Sequence, residues 1–325
     1  MTILLTGGTG FFGKALLRHW SEQAAQGKGP DEVTILSRAP DEFLERFPEF
    51  HQQTWLRFHR GDILLPDTLP TEGKFTHVLH AAADSTFGRR LSPVERYDQI
   101  VNGTRHLLTY AVMHGVERFL LTSSGGVYGP QPSDMECIPE NWNGMPDPLN
   151  SAHAYSVAKR CAEHLCALYQ NEHGLETVIA RCFAFVGRDL PLDAHFAIGN
   201  FIRDSLYAQE IVVSGDGSAI RSYMDQRDLA SWLLALLERG QAGQAYNVGS
   251  DQEISIRDLA RLVGGILAPA KPVKISGLVD AVNLRSRYVP SINKARRELG
   301  LQLTIHLREA VLETARHVQG PITTC

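Results

Sequence analysis

Leu4-Leu5-Thr6-Gly7-Gly8-Thr9-Gly10-Phe11-Phe12-Gly13 is the stretch that decides the fold. The apolar run Thr2 to Thr6 reads as a strand, Phe11 to Ala25 reads as an amphipathic helix, and the glycines stand at the junction. In that context glycines let the backbone approach a pyrophosphate held at a helix N-terminus. The stretch parses as G-x-x-G-x-x-G from Gly7 or as G-x-G-x-x-G from Gly8. It is also a near miss to a phosphate loop, Gly8 to Gly13 followed by Lys14, but Ala15 stands where a Ser or Thr would hold magnesium. The ligand it predicts is a dinucleotide, contacted by Gly7, Thr9, Gly10, Phe11, Phe12 and Gly13.

Working outward, short β-branched runs alternate with longer amphipathic stretches, the pattern of a parallel sheet wound with helices on both faces. Strands are expected at Thr2 to Thr6, Val33 to Ser37, Leu56 to His59, His77 to Ala81, Phe119 to Ser123 and Thr177 to Cys182. Helices are expected at Phe11 to Ala25, Pro93 to His114 and Ala154 to Glu172. The fold class is α/β: a doubly wound parallel Rossmann sheet with a smaller interleaved C-terminal substrate lobe. Residues 1–182 form the dinucleotide-binding domain, with 225–250 returning to it, and 183–224 and 251–325 form the lobe. Within the lobe a helix is expected near Phe196 to Ala208 and short strands at Ile211 to Ser214 and Ile220 to Met224, while Ala245 to Val248 should rejoin the main sheet. Ligands of such folds bind outside the carboxyl ends of the strands, so function should concentrate in the loops there.

Composition excludes several classes. The 325 residues carry 32 Lys plus Arg against 36 Asp plus Glu, a formal charge of −4. With a pI near 6.4 there is no bulk positive field for a nucleic acid backbone or an anionic membrane. No uncharged stretch reaches the roughly 18 residues of a membrane-spanning helix. The N-terminus lacks a basic region followed by a cleavage site, and a cytoplasmic location is expected. Cys137, Cys161, Cys166, Cys182 and Cys325 form no metal-type pair and read as reduced thiols, and no metal site is expected.

The second strand ends Ile35-Leu36-Ser37-Arg38. An acid at this point would accept from the adenosine ribose, whereas an arginine pairs with a 2′-phosphate, so Ser37 and Arg38 favour NADP over NAD. Asp31 and Glu32 come too early for the ribose role. Asp62 and Ile63 after the third strand, and Ala81, Ala82 and Ala83 after the fourth, complete the expected cofactor contacts.

Tyr155 and Lys159 are four apart on an expected helix, so both project from one face. A tyrosine titrating near about 10 is a poor acid–base group at neutral pH unless a cation stabilises its phenolate. The strand Leu121-Thr122-Ser123-Ser124, followed by Gly125-Gly126-Val127-Tyr128-Gly129, places a hydroxyl at the mouth of the site. Ser124 is thereby a candidate to stabilise a sugar oxygen as charge develops on it, with Tyr155 carrying the proton and Lys159 also holding the nicotinamide ribose. Tyr128 reads as a packing aromatic.

Taken together, Thr6 to Gly13, Gly61-Asp62-Ile63, His80-Ala81-Ala82-Ala83, Val101-Asn102-Gly103-Thr104, Ser123 to Gly129, Tyr155-Ser156-Val157-Ala158-Lys159 and Tyr246-Asn247-Val248-Gly249 resemble the extended short-chain dehydrogenase/reductase family, the nucleotide-sugar epimerases, dehydratases and ketoreductases. The resemblance implies catalysis by Ser124, Tyr155 and Lys159 and a structural role for Asn102. It also implies a nucleotide diphosphate sugar bound by Ser124, Asn200 and Arg221, with one of Arg285 and Arg287 as a further candidate. A homodimer through the helices Pro93 to His114 and Ala154 to Glu172 is implied as well, although Leu107, Leu108, Leu165 and Leu168 could equally face the core.

The chain departs from the family at informative places. Dehydratases and decarboxylases of the family carry an acid beside the catalytic hydroxyl, where this chain has Gly125 and Gly126. Ala184 stands where an asparagine commonly helps to bind substrate, and His195 is either a specificity residue or a solvated helix start. The expectation is an NADP- or NAD-dependent nucleotide-sugar oxidoreductase acting at sugar C4, favoured as a 4-ketoreductase on a 4-keto-6-deoxy sugar. The alternatives are a 4-epimerase with retained NAD, a 4,6-dehydratase, and a non-catalytic dinucleotide-binding sensor.

Overall fold

The computed structural model describes residues 1–83, 91–194, 196–277 and 286–319; His195, Arg285 and Cys325, singled out above, lie outside the described residues. In chain order the main elements begin with β1 (Thr2–Thr6), α1 (Phe11–Ala25), β2 (Glu32–Ser37), α2 (Pro40–Arg46), β3 (Leu56–Arg60) and β4 (His77–His80). They continue with α3 (Pro93–Met113), β5 (Arg118–Ser124), α4 (Ala154–His173) and β6 (Glu176–Cys182). These strands form one sheet in the order β6-β5-β4-β1-β2-β3, and their pairings are parallel. The order reverses between β1 and β4, the topological switch point at which such sheets take their ligand.

Local chemistry explains the boundaries. The strands are apolar along their length because both sheet faces are covered; Val33, Ile35, Val78, Leu79, Phe119, Leu120 and Leu121 are fully buried. Ser92 and Glu95 cap α3 reciprocally, with proline at its first turn, and Gly174 in the left-handed region (φ 72°) ends α4. One core cluster runs from Val78, Phe119, Leu121 and Ile179 of the sheet to Ile100, Leu107 and Leu108 of α3 and Ala158, Ala162 and Cys166 of α4.

The chain then passes through β7 (Phe185–Val186), α5 (Ala197–Tyr207), β8 (Ile211–Val213), β9 (Ile220–Ser222), β10 (Met224–Asp225) and α6 (Gln226–Arg239). After them β11 (Gln244–Val248) returns to the main sheet beside β6, as expected. The remaining elements are β12 (Glu253–Ser255), α7 (Ile256–Leu267), β13 (Val273–Ile275), β14 (Arg287–Tyr288), α8 (Asn293–Leu299) and α9 (Leu307–Gln319). By its contacts the chain divides into two compact units. One is Met1–Gly129 with Met145–Cys182 and Ala230–Tyr246; the other is Pro130–Gly144 with Phe183–Leu229 and Asn247–Cys325.

Two segments differ from expectation. The single strand Ile220 to Met224 is two strands in different sheets: β9 lies between β12 and β14, and β10 pairs with β7. Asp225 Oδ1 accepts from Arg227 N at 2.7 Å, which turns the chain into α6. The unassigned residues after Arg38 form α2, which begins with Pro40 and carries Asp41 and Glu42 in its first turn.

Candidate active site

The glycines at the end of β1 are held against the neighbouring strand end. Gly7 has φ +75°, and a Cβ there would lie 2.5 Å from the Ala81 carbonyl and 2.7 Å from Ala82 N. A Cβ on Gly13 would lie 2.2 Å from the Gly8 backbone. The helix that follows has Gly10 as its N-cap with no side-chain hydrogen bond, and no acid in its first turn. The positive end of its dipole is thus not met by an acid of its own first turn, and the glycine turn before it lets a ligand come close to the backbone, so the residues present fit the pyrophosphate of a dinucleotide. Lys14 is engaged elsewhere, with Nζ 4.9 Å from the Phe47 ring centroid. Thr9, Phe11 and Phe12 are partly buried around this turn.

At the far end of the predicted cofactor track, Ser37 Oγ accepts from Ala39 N at 3.3 Å. Arg38 is exposed, and its guanidinium has no partner among the described residues. Asp62 Oδ1 accepts from Leu64 N at 2.9 Å, closing a turn. Ile63 points inward against Gly103, and its carbonyl accepts from His106 Nδ1 at 2.8 Å. Ala81 continues from β4, its N–H donating to Thr6 O at 3.0 Å, and Ala82 and Ala83 pack on the core cluster.

Ser124 ends β5, and Tyr155 and Lys159 stand one turn apart on α4. Ser124 Oγ accepts from Gly126 N at 3.1 Å. Burial pushes Tyr155 up to about 12, opposed by the nearby Ser124 hydroxyl and by the Arg96 charge. Lys159, 2% exposed, donates to Thr122 O at 2.7 Å, and its Nζ lies 5.9 Å from the Tyr155 ring centroid. Burial pulls it down to about 8. Ser124 lies opposite Cys182 in the β5–β6 register, and burial raises that thiol to about 12, so it stays protonated at neutral pH.

Beneath this trio lies a buried histidine. Thr104 Oγ1 donates to Ile100 O at 2.6 Å, so its oxygen accepts from His80 Nε2 at 3.2 Å. Nδ1 is left to accept from Thr6 Oγ1 at 2.7 Å. Burial, and secondarily the Lys159 charge, push His80 down from 6.5 to about 3. A depressed histidine makes the unfolded chain the stronger proton binder between those two values. Its stability contribution is therefore complete above 6.5 and lost as pH falls toward 3, roughly 2 kcal/mol being gone by about pH 5. We expect the His80 imidazole to show no NMR titration down to about pH 5; a midpoint near 6.5 would contradict the buried, neutral assignment.

The residues of the second unit stand as follows. The Asn200 amide on α5 faces the Leu192 and Ala194 carbonyls, to which its nitrogen donates at 3.1 and 2.9 Å. Arg221 on β9 donates to Ile220 O (2.7 Å), Ser286 O (2.9 Å) and Ser286 Oγ (3.1 Å), and it has no carboxylate partner among the described residues. Burial pulls its guanidinium below the usual arginine value. Arg287, by contrast, is ion-paired to Glu253 and donates to Glu136 O at 3.2 Å. Asn102 is exposed on α3 between the buried Val101 and Gly103, and its side chain makes no hydrogen bond among the described residues. Along the helices implied for dimerisation, Leu107 and Leu108 are core, Leu165 is partly buried against it, and Leu168 and Met113 are 39% and 77% exposed.

The sequence model of the NAD dependent epimerase/dehydratase family matches residues 3–249. The chain belongs to this family. Among curated relatives, UDP-glucuronic acid decarboxylase 1 of Arabidopsis thaliana is 29% identical over 313 residues, covering 96% of this chain and 68% of that protein. UDP-glucuronic acid decarboxylase 3 of the same plant is 29% identical over 319 residues, covering 96% of this chain and 87% of its own. Among solved structures, DesIV, a dTDP-glucose 4,6-dehydratase from Streptomyces venezuelae with NAD bound, superposes with a TM-score of 0.83 at 25% identity, over 98% of this chain and 97% of that one. The UDP-glucose 4-epimerase of Thermotoga maritima shares the fold, with a TM-score of 0.78 at 21% identity over 98% and 99% of the two chains.

In the pair Gly125-Gly126, the structure leaves little room for a side chain at Gly126. A Cβ on Gly126 would lie 2.5 Å from Ser156 Oγ and 3.4 Å from Ser124 Oγ, so Ser156 occupies the space that a side chain at 126 would enter. The residues that sequence reasoning missed lie just behind. Arg181 grips Glu163 from Nε at 3.1 Å and from a terminal nitrogen at 2.7 Å, while Ser123 Oγ donates to Glu163 Oε1 at 2.5 Å. A second terminal nitrogen of Arg181 donates to Tyr128 Oη at 2.9 Å, which makes Tyr128 part of a polar brace in addition to packing. Glu163 is one turn beyond Lys159 and favours its charged form. The repeat Tyr155, Lys159, Glu163 at four-residue spacing is the signal that could have found it.

Proposed function

We propose that this chain is an NADP-dependent oxidoreductase acting at C4 of a nucleotide-linked sugar, reducing a 4-keto-6-deoxy sugar to the alcohol. One arrangement carries the reading: Tyr155 stands one turn from the buried Lys159 on α4, with Ser124 at the end of β5 and no acid at 125 or 126. That set moves a proton to and from one sugar oxygen, and it lacks the additional acid or base that eliminating water requires.

When bound, the dinucleotide supplies hydride to the sugar carbon. The helix start after Gly7 to Gly13 holds its pyrophosphate, Ser37 and Arg38 hold the 2′-phosphate, and Asp62, Ile63 and the Ala81 to Ala83 backbone line its track. Tyr155 Oη donates its proton to O4 of the sugar, a task for which a phenol raised to about 12 is in the correct state at neutral pH. Ser124 Oγ accepts from Gly126 N–H and so has its own proton to give to O4 as negative charge develops there. Lys159, anchored on Thr122 O, favours the phenolate that Tyr155 becomes and orients the nicotinamide ribose. Arg221 is proposed to receive the sugar nucleotide's diphosphate, because its planar fork has no competing carboxylate among the described residues, and Asn200 to support that site by holding the Leu192 and Ala194 carbonyls. Residues 1–182 and 225–250 then serve the cofactor, and 183–224 and 251–325 the sugar nucleotide.

A homodimer through α3 and α4 is part of this reading, and Leu168 and Met113 are the exposed apolar side chains it would cover. No helix among the described residues is long and apolar enough to cross a membrane. The test is a panel of nucleotide sugars assayed with NADPH and NADH, with products identified. We expect NADPH consumption with nucleotide 4-keto-6-deoxy sugars alone. Release of carbon dioxide from UDP-glucuronic acid, or epimerisation without added cofactor, would overturn the proposal.

A further inference from the structure

The carboxyl ends of β2 and β3 carry a pair of guanidinium groups of which only one is used above. These strands are parallel neighbours with Ser37 opposite Arg60, and Gly61 N donates to Ser37 O at 3.0 Å, which locks the two ends in register. Arg60 folds back over this junction: one terminal nitrogen donates to Arg38 O at 3.0 Å and the other to Asp41 Oδ2 at 2.5 Å. The stem of Arg38 leaves from the residue whose carbonyl Arg60 grips. One cation is thus fixed and the other loose, on adjacent strand ends, with Asp41 the carboxylate ion-paired beside them.

Asp41 does not stand free to accept from a ribose hydroxyl, because its carboxylate is spent on Arg60. The pair is nevertheless weakly held, since its side chains are 60% and 76% exposed and exposed ion pairs contribute little. A phosphate monoester brings nearly two negative charges and three acceptor oxygens, and two planar guanidinium forks match it better than one carboxylate does.

We infer that Arg60 is a second specificity-determining residue for the cofactor's 2′-phosphate, and that Asp41 holds its guanidinium in place until the phosphate takes it over. This rests on the NADP reading of Arg38 and adds to it a second cation and an exchangeable counter-ion.

The probes are adenosine 2′,5′-bisphosphate, which carries the phosphate in question, and 5′-AMP, which lacks it. Calorimetric titration of both into wild type, Arg38→Gln, Arg60→Gln and Asp41→Asn separates the possibilities. Wild type should bind the bisphosphate more tightly than 5′-AMP. Arg60→Gln should weaken the bisphosphate by about tenfold and leave 5′-AMP unchanged, which also shows that the adenosine site is intact. Asp41→Asn should tighten the bisphosphate by about threefold, because it removes a competing negative charge. If Arg60→Gln has no effect while Arg38→Gln weakens the bisphosphate, this inference is wrong and the NADP reading stands. Equal weakening of both probes in Arg60→Gln also overturns it. A wild type that does not distinguish the two probes removes the NADP reading and this inference with it.

Discussion

Tyr155→Phe should lower kcat by about a thousandfold, or about 4 kcal/mol of barrier, while the affinity for NADPH stays within about twofold. The substitution keeps the ring that packs partly buried against the core and removes only Oη. What disappears is the proton proposed for O4, while Ser124 Oγ still accepts from Gly126 N. The cost in stability should therefore stay near about 1 kcal/mol, so a folded but inactive variant is the expected result. Steady-state turnover alongside a fluorescence titration of cofactor separates the two effects. Nearly full activity in Tyr155→Phe would move the proton donor elsewhere.

The second large effect is expected at Gly7→Ala, where binding and stability fail together. Alanine at φ +75° is strained, and its Cβ would stand 2.5 Å from the Ala81 carbonyl carbon and oxygen, backbone atoms that have no side-chain freedom to give way. Relief means separating the end of β1 from the segment after β4, at about 3 kcal/mol or more, and the first turn of α1 moves with it. We expect a clear drop in the thermal midpoint and no detectable cofactor binding. Gly10→Ala serves as the control for stability, because among the described residues a Cβ there meets only Gly7 O at 3.4 Å. If Gly7→Ala bound cofactor as the wild type does, the close approach of these two strand ends would have no role in holding it.

The difference between Gly7 and Gly10 also shows what can be read from the sequence. That a glycine loop joins β1 to α1 follows from composition and periodicity, and both elements begin and end at the residues expected. Tyr155, Lys159 and Ser124 were legible because their chemistry depends on helical spacing and on a strand end, both local features. The Glu163–Arg181–Ser123 brace depends instead on β5 and β6 lying in register, with Ser123 opposite Arg181, which no local window contains. Arg60 escaped for the same reason, since it becomes a neighbour of Ser37 only through the β2–β3 pairing. Tyr223 divides the run Ile220 to Met224 because its two halves find different partners, β12 and β14 on one side and β7 on the other. In each of these cases a long-range pairing decided the outcome, which residue type alone does not encode.

Hydride transfer at sugar C4 is the central claim, and an isotope tests it most directly. A nucleotide 4-keto-6-deoxy sugar incubated with the enzyme and NADPH deuterated at its transferable position should yield product carrying deuterium at C4, with one NADPH oxidised per sugar reduced. Product formed without deuterium at C4, or turnover that leaves NADPH unconsumed, would contradict it.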